Sequence, residues 1–168
     1  IDDIKYVFNT SVLKKGDILL ISTYDERMHR LMNSQYNHVA LYAGDALIME
    51  SDGGGVVLNH IFSYGFKDIN DAIVLRCKSD SYLIREGVVF NARCIMGMEY
   101  GSLEARKVPK YEATEKPAES NRRFCSRLVA LSYDKMGVQL VTNPNYCTPA
   151  SFLDSDKLVQ VNDALEPA

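Results

Sequence analysis

No long apolar run, no excess of basic charge and no paired-cysteine motif occurs in this 168-residue sequence, and each absence excludes a class of protein. Nothing approaches the roughly 20 consecutive apolar residues that span a bilayer as a helix, so no transmembrane segment is expected. Lys and Arg number 19 against 22 Asp and Glu, a net charge of -3. A basic stripe is the usual footprint of nucleic-acid binding, so nucleic acid is not the expected partner. The four cysteines, Cys77, Cys94, Cys125 and Cys147, include no CxxC pair and no Cys/His cluster at zinc-ligand spacing. Their even number leaves one or two bridges open but makes no dense disulfide framework. An initial methionine is missing too. A chain that begins at Ile1 reads as a trimmed form, a mature form or an excised domain. A removed signal peptide would leave no trace, so the compartment stays open, a secreted or periplasmic one included.

What is present is the composition of a globular chain, 46% hydrophobic and 24% charged. Its length suits one domain, 1–168, able to bury a core without disulfides or metal. The segment "KKGDILLIS" (14–22) reads as a turn and a buried strand, and "YDERMHRLMNSQ" (24–35) as a loop or short helix. Residues 37–43 and 46–51 read as a hairpin, "DGGG" (52–55) as a turn, and 56–61 and 72–77 as two further β-branched strands. Over 81–98, Leu83, Phe90, Cys94 and Met98 recur at helical spacing and predict a helix with that stripe inward. Residues 101–121 are polar with two prolines, a connection long enough to be functional. "FCSRLVALSYDKMG" (124–137) predicts a helix with Phe124, Leu128 and Leu131 in one stripe, Val129 beside it, and Gly137 as its stop. "TPASFLDSDKL" (148–158) reads as a turn and a docked tail. Strands first and helices after give an α+β class.

The hairpin "NHVALYAGDALIMES" (37–51) begins with an imidazole and ends with a carboxylate. Packing requires neither. Side chains alternate faces along a strand, so the register decides whether they meet. With a three-residue loop, Ala43-Gly44-Asp45, Tyr42 pairs with Ala46 and His38 lies opposite Glu50, Cβ atoms about 4.5–5.5 Å apart. A two-residue loop, Gly44-Asp45, throws them to opposite faces. A functional pair therefore requires the odd loop or a bulge. The alternative is an exposed strand-end histidine and a solubilising edge charge.

Among the cysteines, Cys125 stands near the predicted start of its helix, with Ser120 or Asn121 as N-cap and Arg122, Arg123 and Arg127 nearby. Helix N-termini and cations favour a thiolate. The alternative is a small apolar residue on a buried helix face, a reading that suits Cys77, Cys94 and Cys147. A helix-start thiol with a carboxylate-oriented histidine would supply nucleophile, base and orienter.

Together, "KKGDILLIS", "NHVALYAGDALIMES", "GMEYGSLEA", "FCSRLVALSYDKMG" and "TPASFL" resemble, in that order, the circularly permuted branch of the NlpC-type papain-like cysteine hydrolases. This branch includes the YiiX-like bacterial proteins and, more distantly, the lecithin–retinol acyltransferase family. The resemblance covers roughly residues 13–158, the expected core. It implies a permuted papain-like α+β fold, a small antiparallel sheet packed on the helix that bears the cysteine. It places the base at His38, the orienting residue at Glu50 and the nucleophile at Cys125. Tyr100 matches a tyrosine of the active-site wall and would touch substrate. Gly101 stands where the family has Asp, and Ala40 where many members have Gly. The polar segment 101–121 would lie near the site.

The implied chemistry is acyl transfer on an amide, ester or thioester. The oxyanion would meet the Cys125 backbone N–H and a second donor. No metal or organic cofactor is needed. Relatives point to a peptide, a peptidoglycan fragment or an acyl-lipid as substrate, and a delivered effector domain is compatible. The alternative is a catalytically idle lipid- or peptide-binding module on the same scaffold. His29 and His60 match nothing and read as surface residues.

Overall fold

The computed structural model describes residues 3–23, 35–51, 55–97 and 117–168. The segment 24–34, the turn residues 52–54, Met98, Tyr100 and the connection 101–116 lie outside the described residues. Strands β1 (Tyr6–Phe8), β2 (Ile18–Ile21), β3 (His38–Gly44), β4 (Leu47–Ser51), β5 (Val56–His60) and β6 (Ala72–Cys77) come first. Helices α1 (Tyr82–Gly97) and α2 (Pro117–Asp134) follow, and the chain closes with β7 (Leu158–Gln160) and β8 (Leu165–Pro167). Six strands form one antiparallel sheet in the order β5-β4-β3-β2-β6-β7, and β1 pairs with β8 in a separate ribbon. The class is α+β, as expected. The two ribbon strands, three residues each, are too short to carry a readable alternation.

The central strands are apolar on both sides because both faces of the sheet are covered. Ile18, Leu20, Val39, Leu41 and Met49 face a helical layer with Val88 and Val89 of α1 and Cys125, Leu128 and Val129 of α2. Leu19, Ile21, Ala40, Tyr42 and Ile48 face the other way, onto Phe8, Ile61 and Phe66. Phe66 meets Phe8 edge-on, with ring centroids 5.2 Å apart.

Two helix expectations are corrected. The Leu83–Phe90–Cys94 stripe of α1 faces solvent: Leu83 is 72% and Phe90 66% exposed, and Cys94 is exposed. Val88, Val89 and Ala92 are inside instead. Gly87 lies on the inner side too: a Cβ there would lie 2.4 Å from the end of the Met136 side chain, just beyond α2. Second, α2 begins at Pro117, not near Ser120 or Asn121. Proline suits the first helical turn, where its missing N–H costs no bond. The last five residues of the expected polar loop are therefore helix, and Cys125 lies in the third turn.

At its other end α2 stops where expected, with Gly137 at φ 77 and the Val138 N–H bonded back to the Tyr133 carbonyl at 3.1 Å. The Tyr133 hydroxyl donates to the Gly16 carbonyl and ties the cysteine helix to the turn before β2. In that turn, Asp17 accepts from the Lys14 N–H at 2.8 Å and from Arg76 of β6 through two bonds, at 2.8 and 2.7 Å.

The stability consequence of the α1 correction is direct. Phe90→Ala should change the unfolding free energy by less than about 0.5 kcal/mol, whereas Leu128→Ala, buried under the sheet, should lose about 2–5 kcal/mol. In urea melts, a Phe90→Ala loss as large as that of Leu128→Ala would put the Phe90 face of α1 inside.

Candidate active site

The hairpin turn is Asp45-Ala46, both in the left-handed region at φ 52 and φ 61, preceded by Gly44 at φ 87. Gly44 pairs with Leu47, an odd index sum. A side chain on Gly44 would also collide with Lys15, whose Cε lies 2.7 Å from the Cβ position. A bulge at Ala43 then shifts the register, and beyond it Tyr42 pairs with Ile48 and Leu41 with Met49, an even sum. The expected Tyr42–Ala46 pairing is therefore wrong by two positions. Tyr42 reaches Ala46 by its side chain only, accepting the Ala46 N–H at 3.1 Å. The parity is nevertheless even, because one extra residue on one strand exchanges the faces of everything after it.

Even parity puts His38 and Glu50 on one face, as diagonal neighbours. His38 Nε2 lies 3.2 Å from Glu50 Oε2. Two further donors hold the carboxylate: Asn59 Nδ2 reaches Oε1 at 3.0 Å, and the Tyr64 hydroxyl reaches Oε2 at 2.9 Å. The Tyr64 ring lies 6.0 Å from the His38 ring and stacks on Phe66. Burial alone would raise the Glu50 pKa, but the bond and charge of His38, then Asn59 and Tyr64, bring it below the ordinary value. The carboxylate is ionised and fully engaged.

Neither Asn59 nor Tyr64 was found by sequence reasoning. Asn59 breaks the apolar run of β5, and that was the available signal. Asn37, fully buried, was also missed. It accepts the Thr23 N–H at 2.9 Å and hydroxyl at 3.0 Å, and so fixes the backbone just ahead of His38. The adjacent His38 pairs with Ile21 of β2.

Cys125 approaches from the helical layer. Its Sγ accepts the Ser51 backbone N–H at 3.0 Å and lies 3.7 Å from the Ser51 carbonyl oxygen. Strand N–H and C=O groups point sideways, within the sheet. The sulfur therefore stands near the plane of the sheet, beside the end of β4. It can be met there from both faces, and Cys125 is close enough to His38 to act on the charge of its ring. Burial disfavours the charged imidazole, but the neighbouring Cys125 and Glu50 outweigh it, and the His38 pKa is pushed up to about 9.

The structure thus brings His38, Glu50 and Cys125 together, while Tyr100 lies outside the described residues. The cluster is closed to solvent, with Cys125 1% exposed, His38 7% and Glu50 6%. Because Cys125 is inside α2, its backbone N–H belongs to the helical ladder. This removes the expected oxyanion donor, and the pull of the helix N-terminus is spent within the first turn. Cys147 is buried, and burial pushes its thiol up to about 12 against a small opposing effect of Arg127. Cys77 is buried at the end of β6, and His60 is exposed. A cavity of about 460 Å³ lies elsewhere, between residues 139–147 and the 3₁₀ turn 149–154.

Residues 12–161 match the family described as permuted papain-like amidase enzyme, YaeF/YiiX, C92 family. Among solved structures, the chain is similar to the metalloprotein yiiX from Escherichia coli O157:H7, with 14% identity over 89% of this chain and 97% of that one, at a TM-score of 0.61. That likeness shows the fold. Among the described residues no group of three or more His, Cys, Asp or Glu is placed to hold a metal ion. No protein of curated function matches the chain.

The raised His38 pKa has a definite sign in stability. It contributes stabilisation present in full below the ordinary pKa of 6.5 and lost as pH rises through about 9. Ring-proton NMR should show His38 titrating near 9, and at lower pH in both Cys125→Ala and Glu50→Gln. A wild-type titration at the ordinary value would contradict the described contacts.

Proposed function

Since this chain belongs to the YaeF/YiiX, C92 family of permuted papain-like amidases, we propose that it cleaves amide bonds of peptide or peptidoglycan-peptide substrates with Cys125 as nucleophile, His38 as acid and base, and Glu50 as orienter. The observation that supports the reading most is that the His38 ring, bonded to a Glu50 carboxylate that Asn59 and Tyr64 also hold, stands close enough to Cys125 for the thiol to act on its charge.

With its pKa near 9, His38 holds a proton at neutral pH and faces the sulfur as an imidazolium. The sulfur attacks the carbonyl carbon, a C–S bond forms, and the carbonyl electron pair moves to oxygen. Collapse re-forms the carbonyl and breaks the C–N bond, and the nitrogen leaves with the proton from His38. Water then attacks the thioester, giving a proton to His38, and the carboxylic acid and the free sulfur are released. An amine or alcohol in place of water would make the reaction a transfer. Glu50 keeps Nε2 occupied, so the proton is exchanged at Nδ1.

On a panel of peptidoglycan fragments, peptide amides and acyl-lipids, the amides should be turned over. Cys125→Ala should abolish that turnover in a folded protein, while Cys77→Ala, Cys94→Ala and Cys147→Ala change only stability. Glu50→Gln, which keeps part of the hydrogen bonding, should retain more activity than Glu50→Ala. Turnover should fall as pH rises through about 9, where the leaving nitrogen loses its proton donor. Full activity in Cys125→Ala, or turnover that keeps rising well past that pH, contradicts the mechanism.

A further inference from the structure

Ser51 ends β4, and alternation directs its side chain opposite to Glu50, onto the face that α2 covers. Its amide is already bonded to the Cys125 sulfur. Its hydroxyl is buried and, among the described residues, is the side-chain oxygen or nitrogen left with no hydrogen-bond partner. A hydroxyl left buried and unbonded destabilises the fold. Here it stands on the residue that touches the sulfur.

An acyl transfer needs donors aimed at the developing oxyanion. The Cys125 N–H is consumed inside α2, so the helix does not offer it. Resting on the proposal that Cys125 is the nucleophile, we propose that the Ser51 hydroxyl is an oxyanion donor of this site. When the sulfur adds to the carbonyl carbon, negative charge passes from sulfur to oxygen, one bond further on. The Ser51 amide serves the charge in its first position, and the Ser51 hydroxyl serves it in the second. Donor and sulfur are both closed to solvent.

Two reagents separate this role from mere positioning. Iodoacetamide alkylates a thiolate without forming an oxyanion, whereas p-nitrophenyl acetate acylates it through a tetrahedral oxyanion. In Ser51→Ala the p-nitrophenolate burst rate should fall about 10²-fold, the usual effect of losing one such donor. The iodoacetamide rate at Cys125 should be unchanged, and Ser51→Thr, which restores a hydroxyl, should recover much of the burst. The Tm of Ser51→Ala should not fall, since no bond is lost. Equal losses with both reagents would mean that Ser51 only holds the sulfur and would overturn the proposal. So would an unchanged burst, or a large drop in Tm, which would reveal a bond the hydroxyl already makes. A wild-type Cys125 that reacts with neither reagent would overturn the nucleophile assignment and its oxyanion donor with it.

Discussion

After the Leu41–Met49 pair, the β3–β4 ladder gives way, and at Ser51 a sulfur takes the place of a strand partner. The rest of the site depends on this substitution. Backbone donors in a sheet normally find carbonyls. Here one finds the Cys125 side chain, carried by a helix stacked on the sheet. The sulfur is thereby fixed near the sheet plane, where a histidine on the far face can reach it. The tie between Tyr133 and Gly16 and the seating of Leu128 and Val129 hold α2 against the sheet where this contact forms.

The arrangement is electrostatically demanding. Two ionisable groups, each less than a tenth exposed, face each other across 3.2 Å. Buried charges are tolerated when their hydrogen-bonding capacity is filled, and here Asn59 and Tyr64 fill it for Glu50. Among the described residues one buried hydroxyl is left unfilled, at Ser51. Departures from full satisfaction are what functional sites show when stability has been given up for chemistry.

Much of this was legible in the sequence, and the reasons differ by element. His38 and Glu50 stood out because charged strand ends have no packing purpose, and strand alternation turned their meeting into a condition on parity. The structure meets that condition by a bulge at Ala43, a device named in advance without its place, since local sequence marks the turn but not the register beyond it. Strand β2 was readable as an apolar run after a turn, β3 and β4 as a hairpin, and β5 and β6 from β-branched runs. The start of α2 was hidden because a polar, proline-bearing stretch reads as loop, and Pro117 as the opening of a helix carries the same letters. The buried face of α1 was misassigned because Leu83, Phe90, Cys94 and Met98 recur at helical spacing, and spacing alone does not tell which stripe a neighbouring element covers. Asn59, Tyr64 and Ser51 act through tertiary contacts that no spacing along the chain encodes.

The central claim is that Cys125, though buried, is the reactive thiol because His38 faces it. The direct test is competitive carbamidomethylation of the native protein at neutral pH, with the four cysteines resolved by peptide mass spectrometry. Exposure alone favours Cys94, the exposed thiol. The account predicts that Cys125 is modified first and that His38→Ala removes its advantage. Modification of Cys94 with Cys125 left intact, or a Cys125 rate indifferent to His38, would contradict it.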